Sequence, residues 1–452
     1  MSIIKDIADT FKNCCNYKTI NGLSDIKLRN KINGIKLTDV IYYRFMYTNK
    51  STTKQEIVSN VNNINDSNFT RQAFDSKDIN ISVKFYEHLF NQIKMLYGKV
   101  SSPNKDDTIL ANNTILSIDG TYNTCLDRKP MLNLGIFNVS QDIPVDISYS
   151  GNQNRNKEVK AFLSYVKNNI NEFKNVIFVA DRAYFKYDLL KFLIDNNLKF
   201  VIRVKGSGNN LNSKHKIKKY SMKYDTIKEV RKYTRIIKCK KTYEKTVNAC
   251  KSKKFIKKIK IKIKNDCILV TNLNNKYSNK IILDIYKSRW DVEVFFKHIK
   301  YNFKFQNLNE KNINQHKKMY FCELILMYIV RLIENYYLKN NKNKNNKDSQ
   351  YINKINRSNL IKGIFNSLLY DIINNSVNNE KSYNSINRYI IINKNKIGRS
   401  FPRSSKTPFT KWYIKGYSEM TKYAKIVDAI KNNTVDKLNK NLKTLAKRIK
   451  IK

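Results

Sequence analysis

The sequence predicts a mixed α/β sheet layered with helices. TILSIDGTY (114–122), MLNLGIFNV (131–139) and PVDISYSG (144–151) are strand-like runs, separated by the turn signals DRKP and SQDIP. VIFVAD (176–181) is a short apolar run of the kind that forms a buried central strand, and KFVIRVK (199–205) is a further strand. KEVKAFLSYVKNNI (157–170) and YDLLKFLIDNN (187–197) carry helical periodicity between them. Three hairpin-like strands followed by alternating helices and strands build one sheet covered by helices.

Periodicity and composition divide the chain into distinct regions. Residues 1–105 read as a helical N-terminal domain, expected to bind DNA ends though any small helical domain has the same pattern, with apolar residues at helical spacing in 37–48 and 81–99 and short helices expected in the polar run between them. The sheet occupies 106–205 and resumes at 266–338, where CILVTNL (267–273) returns as a core strand. Between these segments, 206–265 reads as a β-rich basic insertion, since KIKIKIK alternates Ile with Lys and leaves one wet cationic face. A long helix is expected over about 314–338, a low-complexity linker at 339–350, and a basic C-terminal region at 351–452. In that last region Arg399, Arg403, Lys406, Lys411, Trp412 and Tyr413 interleave cations with aromatic rings. This suits a nucleic-acid strand and equally an ordinary surface loop.

The chain has 452 residues and a net charge of +51, from 87 basic against 36 acidic side chains, so polyanions are the expected partners. Only about 16 of the basic residues are Arg, and the abundance of Asn, Ile, Lys and Tyr is also what AT-rich coding would produce. Seven cysteines without a CxxC pair, and four histidines, argue against a zinc site or disulfide framework and for a reducing interior. No signal peptide is read at the N-terminus. The most apolar stretch, MYFCELILMYIV (319–330), is too short to span a bilayer and holds Glu323, so a buried helix is expected and no membrane.

The chemistry concentrates in YKSRWDVEVFFKHIK (286–300). On one helix, Tyr286, Arg289, Trp290, Glu293, Lys297 and Lys300 fall within an arc of roughly 100°, at ~100° per residue. Ile285, Val292, Phe295, Phe296 and Ile299 lie on the other side, the face such a helix would bury. A carboxylate among cations can hold a metal while Arg and Lys grip phosphate oxygens. A solvated helix with i, i+4 charge pairs has the same pattern. Asp119 and Asp181 each close an apolar strand run, where α/β sheets place functional groups and where chains also simply enter turns. Three carboxylates can hold two magnesium ions for in-line attack on phosphorus.

These segments resemble the DDE transposases of the IS4 type, which have an RNase H-like catalytic core. Tyr286, Arg289, Glu293 and Lys300 match the family's Y-(2)-R-(3)-E-(6)-K motif without a gap, and Trp290 and Lys297 also fit. SIDGTY matches the segment of the family's first Asp, FVADRAY (178–184) that of the second, and LVTNL the strand before the last motif. The likeness covers about 110–335. It implies that Asp119, Asp181 and Glu293 bind two Mg²⁺ or Mn²⁺ ions and cut transposon ends. The freed 3′-hydroxyl would then join target DNA. It further implies that Tyr286, Arg289, Lys297 and Lys300 hold phosphates, with Arg182 reaching either a phosphate or a surface acid. For Trp290 it leaves stacking on a displaced base or packing beneath the site, with packing preferred. A homodimer in a synaptic complex on double-stranded DNA and an intracellular, DNA-associated location follow from the same likeness. A nuclease without strand transfer, and a captured, idle DNA-binding copy, are the other readings of the same residues.

Overall fold

The computed structural model describes residues 3–24, 26–29, 34–100, 113–124, 130–149, 158–204, 224–252, 255–304, 312–340, 351–378, 384–389 and 392–396. The chain divides into a unit of residues 1–394, which holds the helices and the seven-stranded sheet, and a second unit of 395–452. The expectations for 398–418 and for the basic tail lie outside the described residues.

Six helices come first: α1 (Ile3–Cys14), α2 (Tyr17–Gly22), α3 (Leu37–Tyr47), α4 (Lys54–Asn65), α5 (Arg71–Asn80) and α6 (Val83–Val100). Capping is explicit in the polar run: Thr53 and Glu56 form a reciprocal capping box at the start of α4, and the Thr70 side chain caps α5.

The sheet contains β1 (Thr114–Thr124), β2 (Pro130–Asn138), β3 (Ile143–Tyr149), β4 (Val176–Ala180), β5 (Lys199–Arg203), β6 (Arg235–Ser252) and β7 (Phe255–Thr271). Their order is β3-β2-β1-β4-β5-β7-β6. β1, β2 and β3 are antiparallel neighbours, β4 and β5 run parallel to β1, and β7 returns antiparallel to β5. The first five strands have RNase H-like topology, and β6 pairs along nearly its whole length with β7. The expected β-rich stretch also contains a helix, α9 (Tyr224–Tyr233), which follows α7 (Glu158–Asn168) and α8 (Tyr187–Asp195). Basic residues crowd α9 and masked its helical spacing in the sequence.

Side chains alternate between the two faces of β1. Leu116 and Ile118 join Phe162, Leu189 and Leu193 of α7 and α8 on one face. Ile115 joins Ile282 and Ile285 of α10 (Asn279–Ser288) on the other. After α10 come α11 (Trp290–Asn302), α12 (Ile313–Asn340), α13 (Arg357–Ser367) and α14 (Leu369–Asn374). The N-terminal helices share one core with these last four, through residues such as Phe11, Phe45, Phe90, Phe296, Tyr328 and Phe365. At the centre of that core Arg44 bonds Asp78 and Gln315, and Lys318 donates to the Asp78 carbonyl at 2.6 Å. No described helix is long and apolar enough to cross a membrane.

Candidate active site at the end of the parallel strands

The parallel register sets two carboxylates side by side. Ile118 is level with Ala180, so Asp119 and Asp181 are the next residues on neighbouring strands, which run about 4.8 Å apart. Asp119 does not end its strand as expected: β1 continues to Thr124, and it is β4 that stops at Ala180. Beyond that point Asp181 turns the chain, its Oδ1 accepting the Ala183 N–H at 2.5 Å and capping a single 3-10 turn, Arg182–Tyr184. Asp119 Oδ1 accepts the Gly120 N–H at 3.0 Å.

The third carboxylate arrives on α11. The expected single helix over 286–300 is instead two, broken at Arg289. No Gly or Pro marks the break. The Arg289 carbonyl accepts a 3.0 Å hydrogen bond from the Ser117 hydroxyl of β1, and a side chain engaging the helical ladder is a recognised cause of such a break. The apolar face is as expected, with Ile285, Val292, Phe295, Phe296 and Ile299 all buried. Phe295 stacks on Phe137 at 5.5 Å, and Phe296 fills the space over Gly135, where a Cβ would lie 2.3 Å from its ring. Gly135 is therefore needed for α11 to approach β2, and this contact brings the first turn of α11 over β1.

On the polar face, Arg289 Nη2 bonds Glu293 Oε1 at 2.6 Å, and its guanidinium lies 5.9 Å from the Tyr286 ring. Lys297 Nζ is 4.9 Å from the Trp290 ring, and Lys300 Nζ is 5.9 Å from Phe296. Trp290 is 50% exposed, which corrects the packing role preferred from sequence: the buried slots of this helix are already filled by Val292, Phe295 and Phe296. Arg182 is exposed beside Asp181.

Sequence reasoning missed a fourth carboxylate. Glu158, the first residue of α7, lies with its Oε1 in the space a side chain at Gly120 would occupy, 1.6 Å from an ideal Cβ there. Its only local signal was an acid opening a helix after the third strand. The residues it meets, Gly120 and Tyr184, are distant in the chain. Burial, and then the negative charge of Glu158, push Asp119 up to about 7; Arg289 opposes this, and Asp181 and Glu293 add to it. Glu158 is raised by burial and by Asp181, while Tyr184 and the Gly120 N–H favour its charged form. For Arg289, burial disfavours the charge but Glu293 more than restores it.

Carboxylate oxygens of this number and kind suit a hard divalent cation. Among the described residues, no group of three His, Cys, Asp or Glu side chains is placed to hold a metal ion. Glu293 is engaged by Arg289, and the others repel one another. The donor chemistry fits; the spacing is that of an open set.

Residues 120–329 match the family model described as "Transposase DDE domain". The matched range holds Asp181 and Glu293 and begins directly after Asp119. No curated protein sequence matches the chain. Among solved structures the chain is similar to the piggyBac transposase, in a synaptic complex with hairpin DNA, at 12% identity and a TM-score of 0.43. That alignment covers 90% of this chain and 89% of the other.

Proposed function

We propose, from the similarity of residues 120–329 to a transposase DDE domain, that the chain is a transposase of the IS4 type, cutting DNA at transposon ends and joining them to target DNA. The observation that supports the reading is the register that sets Asp119 beside Asp181 on neighbouring parallel strands, with the charges of Arg289 and Glu293 acting on Asp119. Asp119, Asp181 and Glu293 would hold two Mg²⁺ or Mn²⁺ ions. When bound, such ions lower the pKa of an attacking water or hydroxyl and stabilise the leaving oxygen.

The remaining roles belong to the chain's own side chains. Arg289, Lys297 and Lys300 bring positive charge to the phosphates beside the cut, with Tyr286 and Arg182 at the edges of the same surface. Trp290, exposed and next to Lys297, is free to stack on an unpaired base. In the first reaction a water oxygen attacks phosphorus and the 3′-oxygen leaves. In the second that 3′-oxygen attacks a target phosphorus and displaces the target's own 3′-oxygen. Double-stranded DNA is the partner, and joining two ends calls for at least a homodimer inside the cell.

The test is cleavage of a labelled duplex bearing the element's own ends, with Mg²⁺, comparing wild type with Glu293→Gln. Cutting by wild type alone supports the carboxylate assignment, and joined products separate a transposase from a plain nuclease. Binding without cutting by either protein overturns the reading.

A further inference from the structure

Helix α11 carries a second pattern on the side turned away from the core. At ~100° per residue, Trp290, Lys297 and Tyr301 fall within an arc of roughly 40°. Three aromatic side chains stand exposed among the described residues, and two of them are on this stripe: Trp290 at 50% and Tyr301 at 70%. Tyr301 lies one residue beyond the last position of the Y-(2)-R-(3)-E-(6)-K motif, so no motif places it. A single exposed ring is ordinary, but two rings on one line with an ammonium group between them make a surface of a particular kind.

Tyr301 is not exposed through fraying of a helix end. Two residues on, Phe303 is fully buried, with its ring 6.0 Å from that of Phe365. Phe303 also forms a β-bridge with Asn49, and the Lys304 N–H donates to the Thr48 carbonyl at 2.9 Å. Within the last turn the Asn302 side-chain amide donates to the His298 carbonyl at 3.0 Å. The end of α11 is thus pinned to the loop after α3, and Tyr301 is held out on a fixed base. Along the axis, at ~1.5 Å per residue, Lys297 is about 10 Å from Trp290 and about 6 Å from Tyr301. Rings about 16 Å apart cannot share one base. They can each take a base of one strand, with a phosphate between them for Lys297. A duplex keeps its bases paired inside and offers the rings nothing. Charge agrees: Lys300 flanks the stripe, and Glu293, beside Trp290 on the helix, is held by Arg289 at 2.6 Å.

We propose that Trp290, Lys297 and Tyr301 form a track for a short single strand of DNA, with Tyr301 as its outer stacking platform. The inference rests on the DNA-cutting reading above and deepens it, by naming the form of DNA this face takes: an unpaired strand beside the cut. Trp290 is one helical turn from Glu293, and Tyr301 is about two turns beyond it, so the track leads directly away from the third acid. Stacking is tolerant of sequence because every base has a flat face, so the track selects unpaired DNA and not a particular base.

The experiment is fluorescence anisotropy of a labelled oligothymidine, about 12 nucleotides long, titrated with the full chain in raised salt, beside a labelled duplex of the same length. Salt weakens the phosphate contacts that any DNA makes with so basic a protein, and leaves stacking in view. Tyr301→Ala is expected to weaken binding of the single strand by about fivefold or more, while its affinity for duplex stays within about twofold of wild type. Tyr301→Phe, which keeps the ring, is expected to bind the strand within about twofold of wild type. Wild-type strand affinity in Tyr301→Ala, an equal loss on strand and duplex, or a loss in Tyr301→Phe as large as that in Tyr301→Ala would each overturn the proposal. Should Tyr301→Ala bind the strand normally while wild type cuts transposon ends, the track falls and the transposase reading stands. Selective loss of strand binding in Tyr301→Ala, in a protein that leaves those ends uncut with Mg²⁺, sinks the transposase reading and keeps the track.

Discussion

The Ser117 hydroxyl, fully buried in β1, donates a 3.0 Å hydrogen bond to the Arg289 carbonyl at the junction of α10 and α11. Two residues beyond Ser117 is Asp119, and four beyond Arg289 is Glu293, so one bond registers the strand of the first acid against the helix of the last. Ser117→Ala removes the donor and leaves a buried carbonyl one partner short. Urea denaturation should show a loss of about 1–2 kcal/mol. End cleavage should fall further than DNA affinity, because misplacement by a fraction of an ångström affects reacting atoms more than phosphate contacts. Unchanged stability and cleavage would mean that packing of Phe295 and Phe296 alone sets the register.

Asp119→Asn and Asp181→Asn should each abolish cleavage while gel-shift affinity for end DNA survives. The surrounding cations, not the acids, carry the attraction for phosphate. A variant that still cuts removes its residue from the set.

DNA affinity should fall steeply with salt, because phosphate contacts release counterions. Replacing Lys297 and Lys300 together by Ala should flatten the slope of log K against log salt by up to about two. An unaltered slope places DNA elsewhere on the surface.

Glu323 supplies a stability test away from the site. It is fully buried in α12, neither carboxylate oxygen has a partner among the described residues, and burial pushes its acid well above the ordinary range. The folded chain therefore keeps a proton that the unfolded chain releases above about pH 4.3. Unfolding then becomes easier as pH rises from there towards the folded value. Glu323→Gln should abolish that slope and stabilise the protein at pH 8 by roughly 1–3 kcal/mol relative to wild type. A Gln variant with the wild-type pH profile would contradict this.

Asp78 has the opposite sign. Burial would raise its acid, but Arg44 and Lys318 more than offset this and hold it below the usual range. Its stabilisation is present above the unfolded value near 3.9 and is lost as pH falls through the folded one. Asp78→Ala, which removes the carboxylate that Arg44 bonds in the core, should cost about 3–5 kcal/mol in thermal or urea unfolding. A loss below 1 kcal/mol would show that the pair is not essential to the join between α3, α5 and α12.

Strands β1 to β5 and the buried face of α11 were legible because period-2 and helical patterns report burial directly, as Ile118, Phe178 and Phe296 show. The motifs singled out Asp119, Asp181 and Glu293, and the register of β1 against β4 sets the first two side by side. The break at Arg289 was not, since its cause is Ser117, a residue far away in the chain. Glu158 was hidden for a similar reason. Its meaning depends on an absent side chain at Gly120 and a hydroxyl at Tyr184, and no local periodicity encodes either. Trp290 was misjudged because burial of one helix face says nothing about which aromatic on the other face stays in solvent.

The 172 residues separating Ser117 from Arg289 also set a clock. At about 5–20 residues per second, a ribosome needs roughly 10–30 s between the two. During that interval β1 can pair with β2 and β4, but the strand of the first acid has no helix to register against. The outer edge of β5 stays open until β7, near the end of the same interval, closes it. An open edge strand is a template for pairing with another chain. Newly made copies, crowded on one messenger, therefore pass through a period when they are most prone to stick to each other, and it ends only as α11 emerges.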